Sequence, residues 1–261
     1  MEGASRVFGG EYECATLAVS AHDPISPAWI VTPGGAWCRL VFLAGALTEV
    51  TDNGDVIRCR LADPTGAFDL VISSRRSTVA DTLLEIPVPA FVTVSGTAQS
   101  YQRNDALVVS VRPDHVQLAD RKTRDAWILE TAHQTLARLE RLLAALNGTN
   151  SDERALVTIR HYALTKEHLA DQVAMIERAV QCAAAAVPDA AGGTGAAGGN
   201  AQGIVMEILR AENRPRGIAV EEVLGQAEAR GVSSDLALAA IRALIEDDEC
   251  YQPQKGYLRP L

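Results

Sequence analysis

The sequence predicts an α+β, multi-domain chain built from a five-stranded barrel, a helical connector and a small terminal helical unit. Three observations predict it. Short runs of alternating apolar and polar residues recur between 39 and 112. Apolar stripes at helical spacing replace them from Arg124 onward. A Gly/Ala-rich stretch at 190–203 then precedes a final segment with three more helical patterns and a short hairpin.

Residues 1–37 read as an extension that packs on the barrel, and 38–119 as the barrel itself. In the run 39–50, Val41, Leu43, Gly45 and Leu47 share one face of a strand. Asp52-Asn53-Gly54-Asp55 has the chemistry of a hairpin turn. In the second strand Ile57, Cys59 and Leu61 alternate with Val56, Arg58 and Arg60. Asp63-Pro64-Thr65-Gly66 makes a second tight turn, with Asp63 stabilising the turn rather than acting as a base. The run 67–73 points Phe68, Leu70 and Ile72 inward, and 91–96 and 107–112 complete five strands. Gly45 and Gly96 mark the sharp bends that a small barrel needs. This is the pattern of the OB-fold, a Greek-key barrel.

Residues 120–188 form the connector. Ile128, Ala132, Thr135, Leu139, Leu142 and Leu146 recur in steps of four and three along one helix, which Asn147-Gly148 terminates. Ser151-Asp152-Glu153 starts another, and Leu169, Val173, Ile176 and Val180 stripe a third. Either these helices pack on each other, or the stripe Ile128, Thr135, Leu139, Leu142 and Leu146 docks on another subunit. Trp127 is expected to pack against the barrel. Residues 189–203 read as a flexible linker. Beyond it, 204–261 reads as a winged helix: a helix lined by Ile204, Val205, Ile208 and Leu209, a second at 219–229, a third capped by Ser233-Ser234-Asp235, and a hairpin around Gln254-Lys255-Gly256.

Charge and composition narrow the function. Twenty-four basic against 33 acidic residues give a net charge of −9, which disfavours broad duplex binding but permits a local basic groove. No apolar run reaches the roughly 18–20 residues that span a bilayer, and Met1 is not followed by a signal-peptide pattern, so the expected location is the cytoplasm, at the nucleoid. Five cysteines without a C-x-x-C pair and five scattered histidines fit neither a disulfide framework nor a metal site, and no cofactor is expected. Phosphate-loop, dinucleotide and hydrolase motifs do not occur, so an enzyme is not expected.

The candidate binding residues lie on the barrel. Arg58 and Arg60 face outward on the second strand, Arg75 and Arg76 follow the third, and Arg103 accompanies Tyr101 in the last hairpin. In barrels of this type the strand 2–3 face and its flanking loops hold oligonucleotides, with guanidinium groups on phosphates and rings on bases. Tyr101 and Phe42 are the candidate exposed rings, whereas Phe68 falls on the inward register. The third helix of the terminal unit runs into Glu246-Asp247-Asp248-Glu249 with Arg242 nearly alone in opposition, a poor surface for duplex phosphates and a better one for protein.

Several segments in series resemble the archaeal replication protein A group, specifically its short subunits or associated proteins with one barrel and a C-terminal winged helix. They are Arg6-Val7-Phe8, Val31-Thr32-Pro33-Gly34-Gly35, the run from Leu43 to Val50, the run from Leu61 to Phe68, and Arg124-Asp125-Ala126-Trp127 with Glu130-Thr131. The resemblance implies single-stranded DNA binding in replication, repair and recombination within a hetero-oligomer. It also implies assembly through the helix after the barrel and recruitment of replication or repair proteins through the winged helix. The chain departs from strong DNA-binding barrels in lacking paired stacking aromatics, which puts its own affinity in question. Two other readings remain open: an adaptor whose barrel touches only protein, and a winged-helix transcription regulator.

Overall fold

The computed structural model describes residues 3–20, 27–73, 78–104, 106–184, 198–211, 217–246, 249–251 and 256–260. The chain opens with α1 (Gly9–Glu13) and a three-stranded antiparallel sheet of β1 (Leu17–Val19), β2 (Trp29–Val31) and β3 (Trp37–Cys38). The barrel strands are β4 (Leu40–Asp52), β5 (Val56–Asp63), β6 (Gly66–Ser73), β7 (Ala90–Arg103) and β8 (Ala106–Leu118), with α2 (Thr78–Glu85) between β6 and β7. The connector is α3 (Arg121–Leu146), α4 (Glu153–Tyr162) and α5 (Lys166–Ala184). The terminal unit comprises α6 (Gly198–Ala211), β9 (Ile218–Ala219), α7 (Val220–Ala229), α8 (Ser234–Glu246), β10 (Cys250–Tyr251) and β11 (Tyr257–Pro260).

The barrel closes in the order β4-β5-β6-β8-β7, and β6 meets β8 in parallel at Leu70 and Val111. That is the OB-fold connectivity, with the helix in its place between the third and fourth strands. The alternation read from the sequence sets its faces. Val41, Leu43, Leu47, Ile57, Leu61, Phe68 and Leu70 are all buried in one core. Gly45 is required by close approach, because a Cβ there would lie 2.2 Å from the Ala62 carbonyl oxygen. The strands of the last hairpin are longer than the sequence pattern indicates, since polar residues such as Gln99, Gln102, His115 and Gln117 continue the ladder.

The amino-terminal segment is a structural part of the barrel. Asp63 is buried and accepts from the backbone N–H of Gly9 at 2.6 Å, of Thr65 at 2.8 Å and of Gly66 at 3.0 Å, so it fixes α1 as well as its own turn. Tyr12 packs on Phe68, ring centroids 5.5 Å apart, and donates its hydroxyl to the Ser110 carbonyl at 2.8 Å. Glu11 is fully buried and ion-paired to Arg138 of α3 at 2.7 Å, and it also accepts from Thr32 Oγ1 at 2.9 Å. Arg138 further donates to Thr135 Oγ1 and to the Arg6 carbonyl. Trp127 packs as expected: its ring meets Phe8 edge-on and its N–H donates to the Phe42 carbonyl.

The connector corrects the assembly expectation. Ile128, Thr135, Leu139 and Leu142 are buried, and Leu146 packs partly buried on the same core. The stripe is spent inside this chain, where α3 lies on the barrel and on α5, so it is closed to another subunit. Sequence spacing identified the apolar face but could not say what covers it. The opposite side of α3 instead leaves Leu129, Leu136 and Leu143 exposed, seven residues apart.

The terminal unit also differs from the tethered module expected from the sequence. Its first helix begins at Gly198, inside the stretch read as linker, and 189–197 lie outside the described residues. Helix, strand, helix, helix and two strands follow in that order, with the sheet arranged β10-β11-β9. Its core joins Val205, Ile208, Val223, Leu224 and Ile241 to Ala46 and Phe91, a cross-strand pair on the barrel wall. Arg242 Nε donates to the Pro89 carbonyl at 2.6 Å. Arg124 pairs with Glu221 at 2.8 Å, and Arg121 pairs with Glu228. The unit is therefore seated on the barrel. Buried polar contacts of this kind are invisible to a reading by local composition.

Two predictions follow from these buried charges. Glu11→Ala strands the Arg138 guanidinium and is expected to cost about 3–5 kcal/mol in urea unfolding, whereas Asp69→Ala, at the exposed pair with Arg60, costs under about 1 kcal/mol. Burial pushes the Glu221 carboxyl up from its ordinary 4.5 to about 7 against the pull of Arg124. A folded-state value above the unfolded one means that its contribution is complete below about 4.5 and is lost as pH rises through about 7. The stability difference between wild type and Glu221→Gln should therefore shift against wild type between about pH 4.5 and about pH 7, and a constant difference across that range would contradict this.

Candidate nucleic-acid interface

The outward face of β5 carries Arg58 and Arg60, whose register sets unequal surroundings. Arg58 lies between Thr51 of β4 and Val71 of β6. Arg60 lies between Glu49 and Asp69, and its Nη1 meets Asp69 at 3.1 Å. Arg60 is thereby neutralised locally and lines a different cavity, between the barrel and the terminal unit. Arg58 is exposed, and its cross-strand neighbours Thr51 and Val71 are uncharged.

Arg58 shares a cavity of about 400 Å³ with Val71, Gln99, Tyr101 and Ser110. The β7–β8 hairpin curls Tyr101 over the β5–β6 face, where its ring remains 43% exposed. Pro27, Ala28 and Ile30 of the amino-terminal segment form another wall. Arg103 stands exposed near the tip of the same hairpin. One exposed ring beside one unneutralised guanidinium can stack a base and meet a phosphate, the two contacts from which single-strand grooves are built.

The remaining sequence candidates fall elsewhere. Arg75 and Arg76 lie outside the described residues. Phe42 is not at the groove: it is half-buried beneath the Arg6 guanidinium, 5.0 Å from its ring centroid, close to where Trp127 binds its carbonyl. Its outward register was legible, but the segment that covers it comes from residue 6, too far along the chain for strand alternation to reveal. Sequence reasoning also missed the wall at 27–30, because a three-residue strand leaves almost no periodic signal. Asp247 and Asp248 of the acidic run lie outside the described residues.

The sequence matches no family model and no curated protein. Among solved structures, the chain is similar to one from a replication protein A heterotrimer bound to single-stranded DNA, at 17% identity over 52% of this chain and 98% of that one, with a TM-score of 0.39. It is similar to a chain of the Stn1–Ten1 complex of S. pombe, at 11% identity over 61% of this chain and 99% of that one, TM-score 0.38. It is also similar to asparaginyl-tRNA synthetase from Pyrococcus horikoshii, at 16% identity over 42% of this chain and 33% of that one, TM-score 0.27. Among the described residues no helix is long and apolar enough to cross a membrane.

The two rings separate cleanly in a substitution test. Tyr101→Ala should weaken oligo-dT binding about tenfold with unchanged unfolding, as expected for one lost stacking platform. Phe42→Ala should do the reverse, costing about 1–3 kcal/mol of stability while the folded protein binds as before.

Proposed function

We propose that this chain is a non-enzymatic, single-stranded DNA-binding subunit of a replication protein A-like complex acting in replication, repair and recombination. The observation that carries the reading is the convergence of Arg58 and Tyr101 on one groove over the β5–β6 face of an OB-fold barrel. Among the described residues the groove holds one exposed ring, Tyr101, so affinity by this chain alone is modest and other subunits supply the rest of the path. The exposed Leu129, Leu136 and Leu143 ridge on α3 has the heptad spacing with which one helix receives another, and it offers those subunits a seam.

The terminal unit has the helix, strand, helix, helix and hairpin order of a winged helix. In this reading it recruits replication or repair proteins from a fixed seat on the barrel. Arg242, the basic residue of its third helix, is engaged with Pro89, which counts against duplex reading and so against the regulator alternative. The adaptor alternative remains the one to defeat.

The test is the salt dependence of oligo-dT binding. Arg58→Ala should reduce the slope of log affinity against log salt by about one, since one phosphate contact is lost. Arg60→Ala, whose charge Asp69 already meets, should leave the slope unchanged. Equal slopes for both variants and wild type would place the barrel with protein-binding adaptors.

A further inference from the structure

A second cavity, of about 330 Å³, lies between the β3 end of the amino-terminal sheet, α3 and the start of α4. Trp37, Arg138, Arg141, Gln134 and Arg154 line it. The Arg154 guanidinium sits 4.9 Å from the Trp29 ring centroid and 5.1 Å from that of Trp37, and Arg39 lies over the Trp29 ring at 4.2 Å. The two indoles contact each other at 6.3 Å. Arg141 and Arg154 are exposed, and among the described residues neither is ion-paired to a carboxylate. The acid on the rim, Asp152, accepts from the Arg154 backbone N–H as the cap of α4. Two N–H donors of the lining residues, Trp37 Nε1 and Arg138 Nε, are buried with no partner among the described residues. A buried donor of this kind is a group that a bound water, ion or ligand can satisfy.

This chemistry is specific. The indoles, which meet edge-on, offer apolar area, and the guanidinium groups of Arg141 and Arg154 offer a place for a phosphate. A chain with net charge −9 has little reason to gather arginines on one wall unless the charge is used. Position adds to composition. Successive side chains of a strand point to opposite faces, and β2 sends Ile30 toward the Arg58–Tyr101 groove while Trp29 joins the arginine cluster. The amino-terminal sheet is thus a partition with the groove on one side and the tryptophan–arginine cavity on the other.

We propose that this cavity is a second contact for single-stranded nucleic acid, in which a base packs against the Trp37 indole while Arg141 and Arg154 hold the adjoining phosphates. The inference rests on the reading of the barrel groove as a single-strand site, and it extends that site across the partition. Strands long enough to cross it engage both faces. Short ones engage the groove alone.

The test uses the full chain with oligo-dT of about eight and about twenty nucleotides, one within and one beyond the span of one barrel of this type. Of the three tryptophans, Trp127 is buried and bonded within the core, so quenching of the emission reports Trp29 and Trp37. The longer strand should quench it. Arg141→Ala with Arg154→Ala should lower affinity for the longer strand about tenfold and its salt slope by about two, leaving the shorter strand unaffected. Both residues are exposed, so the fold should survive, which circular dichroism checks. If the double variant binds both strands like wild type and no quenching occurs, while Arg58→Ala with Tyr101→Ala still loses binding, this inference is overturned and the groove reading stands. If neither strand binds the wild-type chain at all, both fall together.

Discussion

The buried pair of Glu11 and Arg138 is the constraint on which the rest of the molecule depends. Two charges removed from water are tolerable only when each satisfies the other and further hydrogen bonds surround them. Here Thr32, Thr135, the Phe8 N–H and the Arg6 carbonyl provide those bonds, while Arg138 Nε has no partner among the described residues. The network draws its members from α1, from the turn after β2 and from α3. It therefore decides where the amino-terminal segment lies on the barrel and where the connector crosses it. The groove wall at 27–30 and the tryptophan–arginine cavity are both consequences of that placement. Tyr162 reinforces it from α4 by donating to the Val31 carbonyl at 2.6 Å.

The segments that carry the sequence resemblance turn out to be the fasteners of this scaffold. Phe8 meets Trp127, Thr32 meets Glu11, Asp63 holds α1, and Arg124 reaches Glu221. A motif series read as a signature of function is here a signature of architecture. In the proposed reading the binding residues, Arg58 and Tyr101, lie outside those segments. Such a division is expected where a site is grafted on a fold rather than dictated by it, here on the outer faces of β5 and β7.

What the sequence disclosed follows from the range of each interaction. Alternation within β4, β5 and β6 is local, so the barrel, its inward residues and its turns were legible, as were the end of α3 at Asn147 and the start of α4 at Asp152. The outward register of Arg58 and Arg60 was equally plain. Their different fates were not, because Asp69 and Glu49 reach Arg60 only through strand pairing. The stripe on α3 was visible as apolar, yet nothing local distinguishes a face covered by α5 from one covered by a partner. The seat of the terminal unit rests on Ala46, Phe91 and Arg124, each ordinary in its own neighbourhood.

The account turns on the barrel groove being where nucleic acid lies. Hydrogen exchange followed by mass spectrometry, with and without a saturating oligo-dT strand, maps that directly along the backbone. The account predicts added protection in β5, in β6 and in the β7–β8 hairpin around Tyr101, with α7 and α8 unchanged. Protection confined to α7 and α8, with the β5–β6 face exchanging as in the free protein, would contradict it.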